Sequence, residues 1–398
     1  MLPALNTIVC EMPEALSIVI NQIVYDKKNN GERVYTFSLG EAFFDIPKFE
    51  LTEEQFKRGC HYSSSMGLPN LRKKITQMYQ EEYGVKVDPE SEILISAGSK
   101  SIIFMLLQVV LKNGEEVIVH EPAWLSYKEQ IKLAGGKCIS IPYDEPVSAW
   151  KKYITEKTKV IIINNPNNPS GQLYSPTELQ YLLNMAEEYN LFVLSDEAYS
   201  DFLLDGNKFI SFAQIDSNKE HCLVVNSLSK NMGMSGWRVG YAIAHESVIK
   251  QLLKINQHII TCAATVLQDY LAQYFDDMLK VTLPQAKAMA EKRKEVQKII
   301  DEIGIRCLPG VGTFYFMLDV SDFPGTTDEL VYELLLNNNI ATVSGIAYGD
   351  STKDFIRFGI GVENLDDIRY CLKMIKGFLD LTEYDSTLIH KKIKQYGI

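Results

Sequence analysis

The sequence predicts an α/β protein, a mostly parallel sheet covered by helices, joined to a smaller α+β part. Three observations predict it. Between about residues 92 and 245, short β-rich runs alternate with longer helical patterns. Several of those runs are apolar on both faces, as strands covered from both sides must be. After about residue 245 the texture changes to long helical stretches followed by short strands, the mark of an α+β unit. At 398 residues the chain also exceeds what one core usually serves, so two domains are expected.

Taken in order, residues 92–96 (EILIS) read as a strand and 100–111 as a mostly buried helix. Residues 116–120 (EVIVH) form the next strand, followed by a helical pattern over 124–134. The runs 159–164 (KVIIIN) and 191–195 (LFVLS) flank a helix that starts near Ser175. There Ser175-Pro176-Thr177-Glu178 supplies an N-cap serine, a proline in the first turn and a glutamate three residues on. Residues 222–226 (CLVVN) are a further strand. Helical patterns fill 246–303, and strands at 312–319 and 355–359 surround a helix over 327–338. The first 45 residues have no place in the alternation and are grouped with the C-terminal part.

Composition excludes several classes. The charge is 40 − 51 = −11, a poor general match to nucleic-acid backbone. An apolar fraction of 46% and a charged fraction of 23% exclude a disordered or fibrous chain. The seven cysteines are scattered without a CxxC pair, which is neither a disulfide framework nor a zinc pattern, and no metal is expected. The densest apolar run, 102–111, is broken by Gln108 and too short to span a bilayer. The N-terminal stretch has Glu11 and Glu14 and no basic leader, so neither signal peptide nor membrane partner is expected, and a cytoplasmic location is.

In an open parallel sheet the residues just after each strand face the ligand crevice. Gly98-Ser99-Lys100 joins a strand end to a helix start, where backbone N–H groups and a hydroxyl can cradle a phosphate. Such junctions are common, and alone this one means little. The loop 164–171 (NNPNNPSG) has the composition of a turn, yet a side-chain amide such as Asn168 there can donate to a ligand oxygen. Asp196, in SDEAY, is an acid at a buried strand end, which costs free energy unless paired. It is either a helix cap or a carboxylate holding a protonated ring nitrogen, with Tyr199 within reach of the same ligand. In 227–240 (SLSKNMGMSGWRVG), Lys230 stands just past a strand, eight residues before Arg238. A lysine desolvated near other cations has a lowered pKa and becomes a nucleophile. Nucleophilic lysine, phosphate-binding serine and arginine, and a strand-end acid together describe a pyridoxal phosphate site.

With S-x-S-K-x7-R, NNPNNPSG and SDEAY on one chain, the sequence resembles the fold-type I pyridoxal-phosphate enzymes of the class I/II aminotransferase family, nearly colinearly from about residue 38 to 361. The resemblance implies a large domain with a mostly parallel seven-stranded sheet over residues 49–284. A smaller domain would comprise 1–48 and 285–398. It implies that Lys230 carries pyridoxal 5'-phosphate as a Schiff base and moves the substrate proton, that Asp196 pairs with the ring nitrogen, and that Tyr199 and Asn168 bond the phenolic oxygen. Trp124, in EPAWLSY, would stack on the ring rather than simply pack in a core. Gly98, Ser99, Lys100, Ser227 and Arg238 would form the phosphate cup, Lys100 through its backbone N–H. Tyr62, in HYSSSMGLPNLR, would reach the phosphate of the neighbouring subunit, which implies a homodimer with composite sites. Arg357, in FIRFGIG, would hold the substrate carboxylate in a bidentate fork, and Gly40 would approach the substrate through its backbone.

The expected reaction is ping-pong transamination between an amino acid and a 2-oxo acid. C–S β-elimination, or other chemistry of a Cα carbanion, on the same scaffold is the alternative. A regulator that has kept the fold is a third reading, disfavoured by the intact Lys230, Asp196 and Arg357 and by a match that starts too early for a preceding DNA-binding domain. Two departures bear on the substrate mouth. Ala42-Phe43-Phe44-Asp45 stands where the family usually has Pro-Asp-Phe-Asp. No second arginine for a distal carboxylate is evident.

Overall fold

The computed structural model describes residues 3–46, 48 and 50–396. The expected domain boundary between residues 48 and 49, and the first two residues of the N-terminal stretch, fall on or beside positions outside the described residues.

Twelve strands are described. They are β1 (Tyr35–Thr36), β2 (Ile93–Ser96), β3 (Glu116–His120), β4 (Lys137–Ile141), β5 (Thr158–Asn164), β6 (Phe192–Asp196), β7 (Cys222–Ser227), β8 (Gly240–Ala244), β9 (Tyr315–Asp319), β10 (Ile340–Ala341), β11 (Val343–Ser344) and β12 (Phe355–Gly359). Seven of them form one sheet in the order β2-β8-β7-β6-β5-β3-β4. The pairs β7-β6, β6-β5, β5-β3 and β3-β4 are parallel, whereas β8 runs antiparallel to both β2 and β7. The fold is therefore the expected α/β class, a mostly parallel sheet of seven strands. Two apolar cores lie on its faces, one containing Ile95, Ile161 and Val193, the other Leu94, Ile162 and Leu194. Successive strand residues point to opposite faces, so a covered strand is apolar along its middle on both sides, and the β2, β3 and β7 strands are buried throughout, with polar residues only at their ends.

Two strands of this sheet are absent from the sequence reading. The edge strand β4 (KCISI) is half exposed and carries polar residues, so it lacks the two-sided apolar signature. Three of the five residues of β8 (GYAIA) are Gly or Ala, which have weak β propensity. Its Gly240 is demanded by close approach, since a Cβ there would come 2.6 Å from the Ser99 backbone nitrogen and 2.9 Å from the Asn226 carbonyl.

Helix boundaries shift modestly. The first covering helix is Ser99–Val110, capped by Gly98 at φ 84°. The next is Ser126–Leu133, which leaves Trp124 in the turn ahead of it rather than in the helix. The helix Pro176–Tyr189 starts as expected, with Ser175 accepting from the Glu178 N–H and Glu178 accepting from the Ser175 N–H. The pattern over 246–303 resolves into Glu246–Ile259 and Thr265–Ile303, the latter with non-helical dihedrals at Tyr274 and Pro284 inside it. The domain boundary expected after residue 284 falls within that helix.

The remaining strands form an antiparallel sheet β11-β12-β9 and a parallel pair β1-β10. Through β1 and the helix Leu16–Asn29, the N-terminal stretch shares a core with the C-terminal strands and helices. Ile20, Val24 and Phe37 pack with Phe358, Leu334 and Ile375, and the Phe37 and Phe358 rings stack 3.9 Å apart.

Candidate active site

The β5, β6 and β7 strands are parallel, so their C-terminal ends open on one edge of the sheet. The register puts Ser96 and Ser227 on either side of Gly240, which brings the start of helix Ser99–Val110 to that edge as well. A cavity of about 450 Å³ lies there, closed on the other side by β9, β12 and residues 38–41. Of the thirteen residues singled out from sequence, eleven line it. Gly98 stands just behind the wall and Tyr62 is elsewhere.

At one end is an anion cradle. Helix Ser99–Val110 presents its unpaired N–H groups. Arg238 lies so close to Gly98 that a Cβ there would meet its Nη2 at 2.6 Å. Ser227 Oγ accepts from the Ser229 N–H at 3.1 Å and lies 2.7 Å from Ser229 Oγ. Arg238 Nη1 donates to the Ser235 carbonyl at 2.8 Å. Two hydroxyls, a guanidinium and a helix N-terminus on one concave surface suit a phosphate dianion.

At the other end is Asp196. Its neighbour Glu197 faces the opposite side of β6, accepting from Ser211 Oγ, Ser195 Oγ and the Phe212 N–H. Asp196 faces the cavity and accepts from Tyr127 Oη at 2.8 Å and from the Ala198 N–H at 3.2 Å. Burial pushes its carboxyl up to about 6, against these bonds and the Lys230 charge. Without a cationic partner the buried anion is held at a cost, which a protonated ring nitrogen would offset.

Lys230 stands between the two ends, on the single helical turn Leu228–Asn231 after β7. Its Nζ donates to the Gly40 carbonyl and lies 5.4 Å from the Tyr199 ring centre. Burial, then the Arg357 charge, lowers its pKa to about 8, so near neutral pH a usable fraction is the nucleophilic amine. Trp124 forms a side wall. Its ring meets Tyr127 edge-on at 5.2 Å and carries Lys100 Nζ at 5.0 Å. The Lys100 side chain therefore lines the cavity as well as its N–H.

Arg357, in the middle of β12, is 3% exposed. Its Nη2 donates to the Ser38 carbonyl and its Nη1 to Asn168 Oδ1 at 3.5 Å, while Nε has no partner. Its guanidinium lies over the Tyr315 and Tyr348 rings at 4.7 and 5.2 Å. Among the described residues no carboxylate pairs with it. A buried cation with open donors is a site for an anion of the ligand.

Asn168 Nδ2 donates to Tyr199 Oη at 3.1 Å, and Gly40 presents its backbone beside Tyr315. Tyr62 is 87% exposed, outside its own chain's cavity. Reasoning from sequence missed Tyr127, Tyr315 and Ser229. Tyr127 could have been found one helical turn from Trp124. Tyr315 depends on the register Arg357↔Met317, which sets it diagonally beside Arg357 on one face of an antiparallel pair.

These residues fit pyridoxal 5'-phosphate on the chemistry of their donors. The cradle takes a dianion, the buried acid takes a ring cation, and the low-pKa amine takes an aldehyde.

Comparison with known proteins agrees. A family model described as aminotransferase class I and II matches residues 42–374. The aspartate aminotransferase of Pyrococcus abyssi is 33% identical over 84% of this chain and 89% of its own length. The aromatic-amino-acid aminotransferase 2 of Thermococcus litoralis is 30% identical over 86% of this chain and 92% of its own. Among solved structures, aspartate aminotransferase from Thermus thermophilus with maleate superposes with a TM-score of 0.84 at 25% identity, covering 94% of this chain and 100% of that one. The chain thus belongs to the class I and II aminotransferases, pyridoxal 5'-phosphate-dependent enzymes of fold type I that move the amino group of an amino acid to a 2-oxo acid.

Proposed function

We propose that this transamination runs in the cavity at the sheet edge, with Lys230 as the residue that holds the cofactor aldehyde and moves the substrate proton. When bound, pyridoxal 5'-phosphate supplies an electron sink for the pair left at Cα when the proton departs. The chain's own residues do the rest. Ser99, Ser227, Arg238 and the backbone at Gly98 and Lys100 hold the phosphate. Asp196 holds the ring nitrogen protonated, and Tyr127 keeps that carboxylate aimed. Asn168 and Tyr199 bond the phenolic oxygen, and Trp124 packs on the ring face. Arg357 grips the substrate carboxylate beside the Gly40 backbone, which turns the Cα–H bond toward Lys230. The freed Lys230 amine, with its pKa lowered to about 8, can take that proton at Cα and return it to the cofactor carbon on the far side of the amino nitrogen, two bonds away.

One observation carries this reading. Arg357, buried and without an acid partner among the described residues, opens onto the same cavity as Lys230. A guanidinium fork fixes the reacting bond where a lone amine could not.

Tyr62 is proposed to complete the phosphate site of a second subunit in a homodimer, consistent with its exposure beyond its own cavity. The large domain is proposed to comprise residues 49–284 and the small one 1–48 with 285–398, the cavity lying between them. All seven cysteines are unpaired, which fits the proposed cytoplasmic setting. Among the described residues no helix is long and apolar enough to cross a membrane.

The test is a half-reaction screen. The loaded enzyme is mixed with single amino acids, acidic and aromatic ones first, since the relatives are named for both. Loss of the cofactor's visible band with stoichiometric 2-oxo acid and no ammonia supports transamination. Pyruvate with ammonia from cystathionine, and no amino exchange, would establish elimination instead. Arg357→Gln should raise KM for the amino acid by roughly tenfold to a hundredfold, the worth of a charge-assisted pair. An unchanged KM would remove Arg357 from the role.

A further inference from the structure

Tyr315 carries a hydroxyl for which the transamination scheme has no use. It lies at the start of β9, wholly buried, with its Oη 3.1 Å from that of Tyr199. Its ring lies under the Arg357 guanidinium at 4.7 Å. Burial raises both phenols, Tyr199 well above its usual value, so each keeps one proton to place.

The direction of each bond follows from what each group can do. Arg357 can only donate, so the Asn168 oxygen must face it. The Asn168 NH2 group is thereby turned to Tyr199, whose oxygen accepts from it. Among the described residues, Tyr315 Oη has one hydrogen-bond partner, Tyr199 Oη. If Tyr199 donated to Tyr315, it would have no proton left for the phenolic oxygen that it is proposed to bond. Tyr315 is therefore the donor. Tyr199 then accepts twice, from Asn168 and from Tyr315, and its single proton points into the cavity. An oxygen that accepts two hydrogen bonds is also the stronger donor, because hydrogen bonds in a chain polarise one another.

We propose that Tyr315 is a positioning residue: its hydroxyl, by donating to Tyr199, aims and strengthens the Tyr199 proton toward the anionic ring oxygen of the cofactor, while its ring supports Arg357. One side chain thus joins the group that grips the substrate carboxylate to the group that sets the proton affinity of the cofactor. This rests on the assignment of Lys230 and Tyr199 to the cofactor.

The test uses the full-length loaded enzyme without substrate. Tyr315→Phe keeps the ring and removes the hydroxyl. A weakened Tyr199 bond leaves the ring oxygen less stabilised as an anion, so the pH midpoint of the cofactor's visible band should rise by about half a unit or more. The turnover number should fall roughly threefold to tenfold, with KM for the amino acid changing less than about twofold. Tyr315→Leu also removes the ring under Arg357 and should raise KM in addition. In a Tyr199→Phe background, Tyr315→Phe should add almost nothing, because its effect passes through Tyr199. Tyr315→3-fluorotyrosine, a more acidic phenol of nearly the same size, should lower the midpoint and covers the case in which the phenylalanine variant does not fold. An unmoved midpoint in the variants that fold, or additive effects in the Tyr199→Phe background, would overturn the proposal. Lys230→Ala separates the two levels. If that variant keeps the band, the cofactor assignment itself fails. If it loses the band while Tyr315→Phe behaves as wild type, only the role of Tyr315 fails.

Discussion

Asp196 is where function and stability oppose each other most clearly. Its carboxyl is raised from 3.8 to about 6 by burial. A folded-state pKa above the unfolded one means that the native cofactor-free protein binds the extra proton between those values. Stability therefore falls as pH rises from about 4 to about 6, by roughly 3 kcal/mol if the full shift applies. Asparagine keeps an oxygen for Tyr127, gives up the longer bond from the Ala198 N–H, and has no charge to bury. Asp196→Asn should thus raise the melting temperature of the cofactor-free protein by a few degrees at pH 7, with that gain gone below about pH 4. The same variant should hold the cofactor less tightly, because the ring nitrogen loses its counter-ion. Calorimetry of the cofactor-free and loaded forms across pH reads both effects. A less stable cofactor-free variant at pH 7 would show that Asp196 is already compensated without a ligand. At this scale the sequence was informative because the chemistry lies in residue type. An acid at a strand end and a lysine past the next strand are visible without coordinates. Tyr127 and Tyr315 were not, since each becomes functional only through whom it touches.

Two helix starts show how local signals differ in kind. Ser175 caps Pro176–Tyr189 far from the cavity, through a reciprocal pair with Glu178 that four consecutive residues announce. Gly98 caps Ser99–Val110 at φ 84°, in the region that favours glycine. Ser175→Ala should cost about 1 kcal/mol of stability, read as a lower urea midpoint, with turnover unchanged. Gly98→Ala should cost a similar amount from backbone strain. Its Cβ would also displace the Arg238 guanidinium, now 2.6 Å from that position. Because that group is the mobile end of an exposed side chain, the displacement adds little to the folding cost but empties one side of the cradle. Cofactor affinity should therefore fall by tenfold or more, about 1.4 kcal/mol, in Gly98→Ala alone. Equal cofactor affinity in the two variants would mean that Arg238 does not serve the phosphate. Element identity was legible where one helix or strand obeys its own periodicity. It was not legible for β4 and β8. One is too exposed, and the other too rich in Gly and Ala, to show a strand's signature, and both are specified by distant pairing with strands that precede them, β3 for β4 and β2 and β7 for β8.

At the scale of the molecule, sequence order conceals the site most. Residues drawn from 38–41, 99–100, 164–168, 196–199 and 227–238, with 315 and 357, converge on one cavity, and topology brings them there. Parallel strands align their C-terminal ends, antiparallel β8 lays Ser96 and Ser227 beside Gly240, and β9 with β12 closes the far side. No spacing along the chain encodes that convergence, which is why the resemblance to a family located Arg357 when its local pattern did not. Tyr62 takes the same logic one step outward. At 87% exposure it serves no packing role in its own chain, and its proposed partner is the phosphate cradle of a second copy. If each site draws Tyr62 from one subunit and Lys230 from the other, two crippled variants can repair each other. Tyr62→Ala and Lys230→Ala homodimers should each be weak or inactive. After unfolding, mixing in equal amounts and refolding, half of the dimers are hybrids. Each hybrid has one site with both lesions and one with neither. Recovered activity should then approach about a quarter of the wild-type value. If instead each cavity uses its own Tyr62, every hybrid carries one lesion per site and mixing restores nothing beyond the average of the parents. The two outcomes differ in amplitude at equal protein concentration, so a single activity measurement on the refolded mixture decides whether the active site belongs to one chain or to a pair.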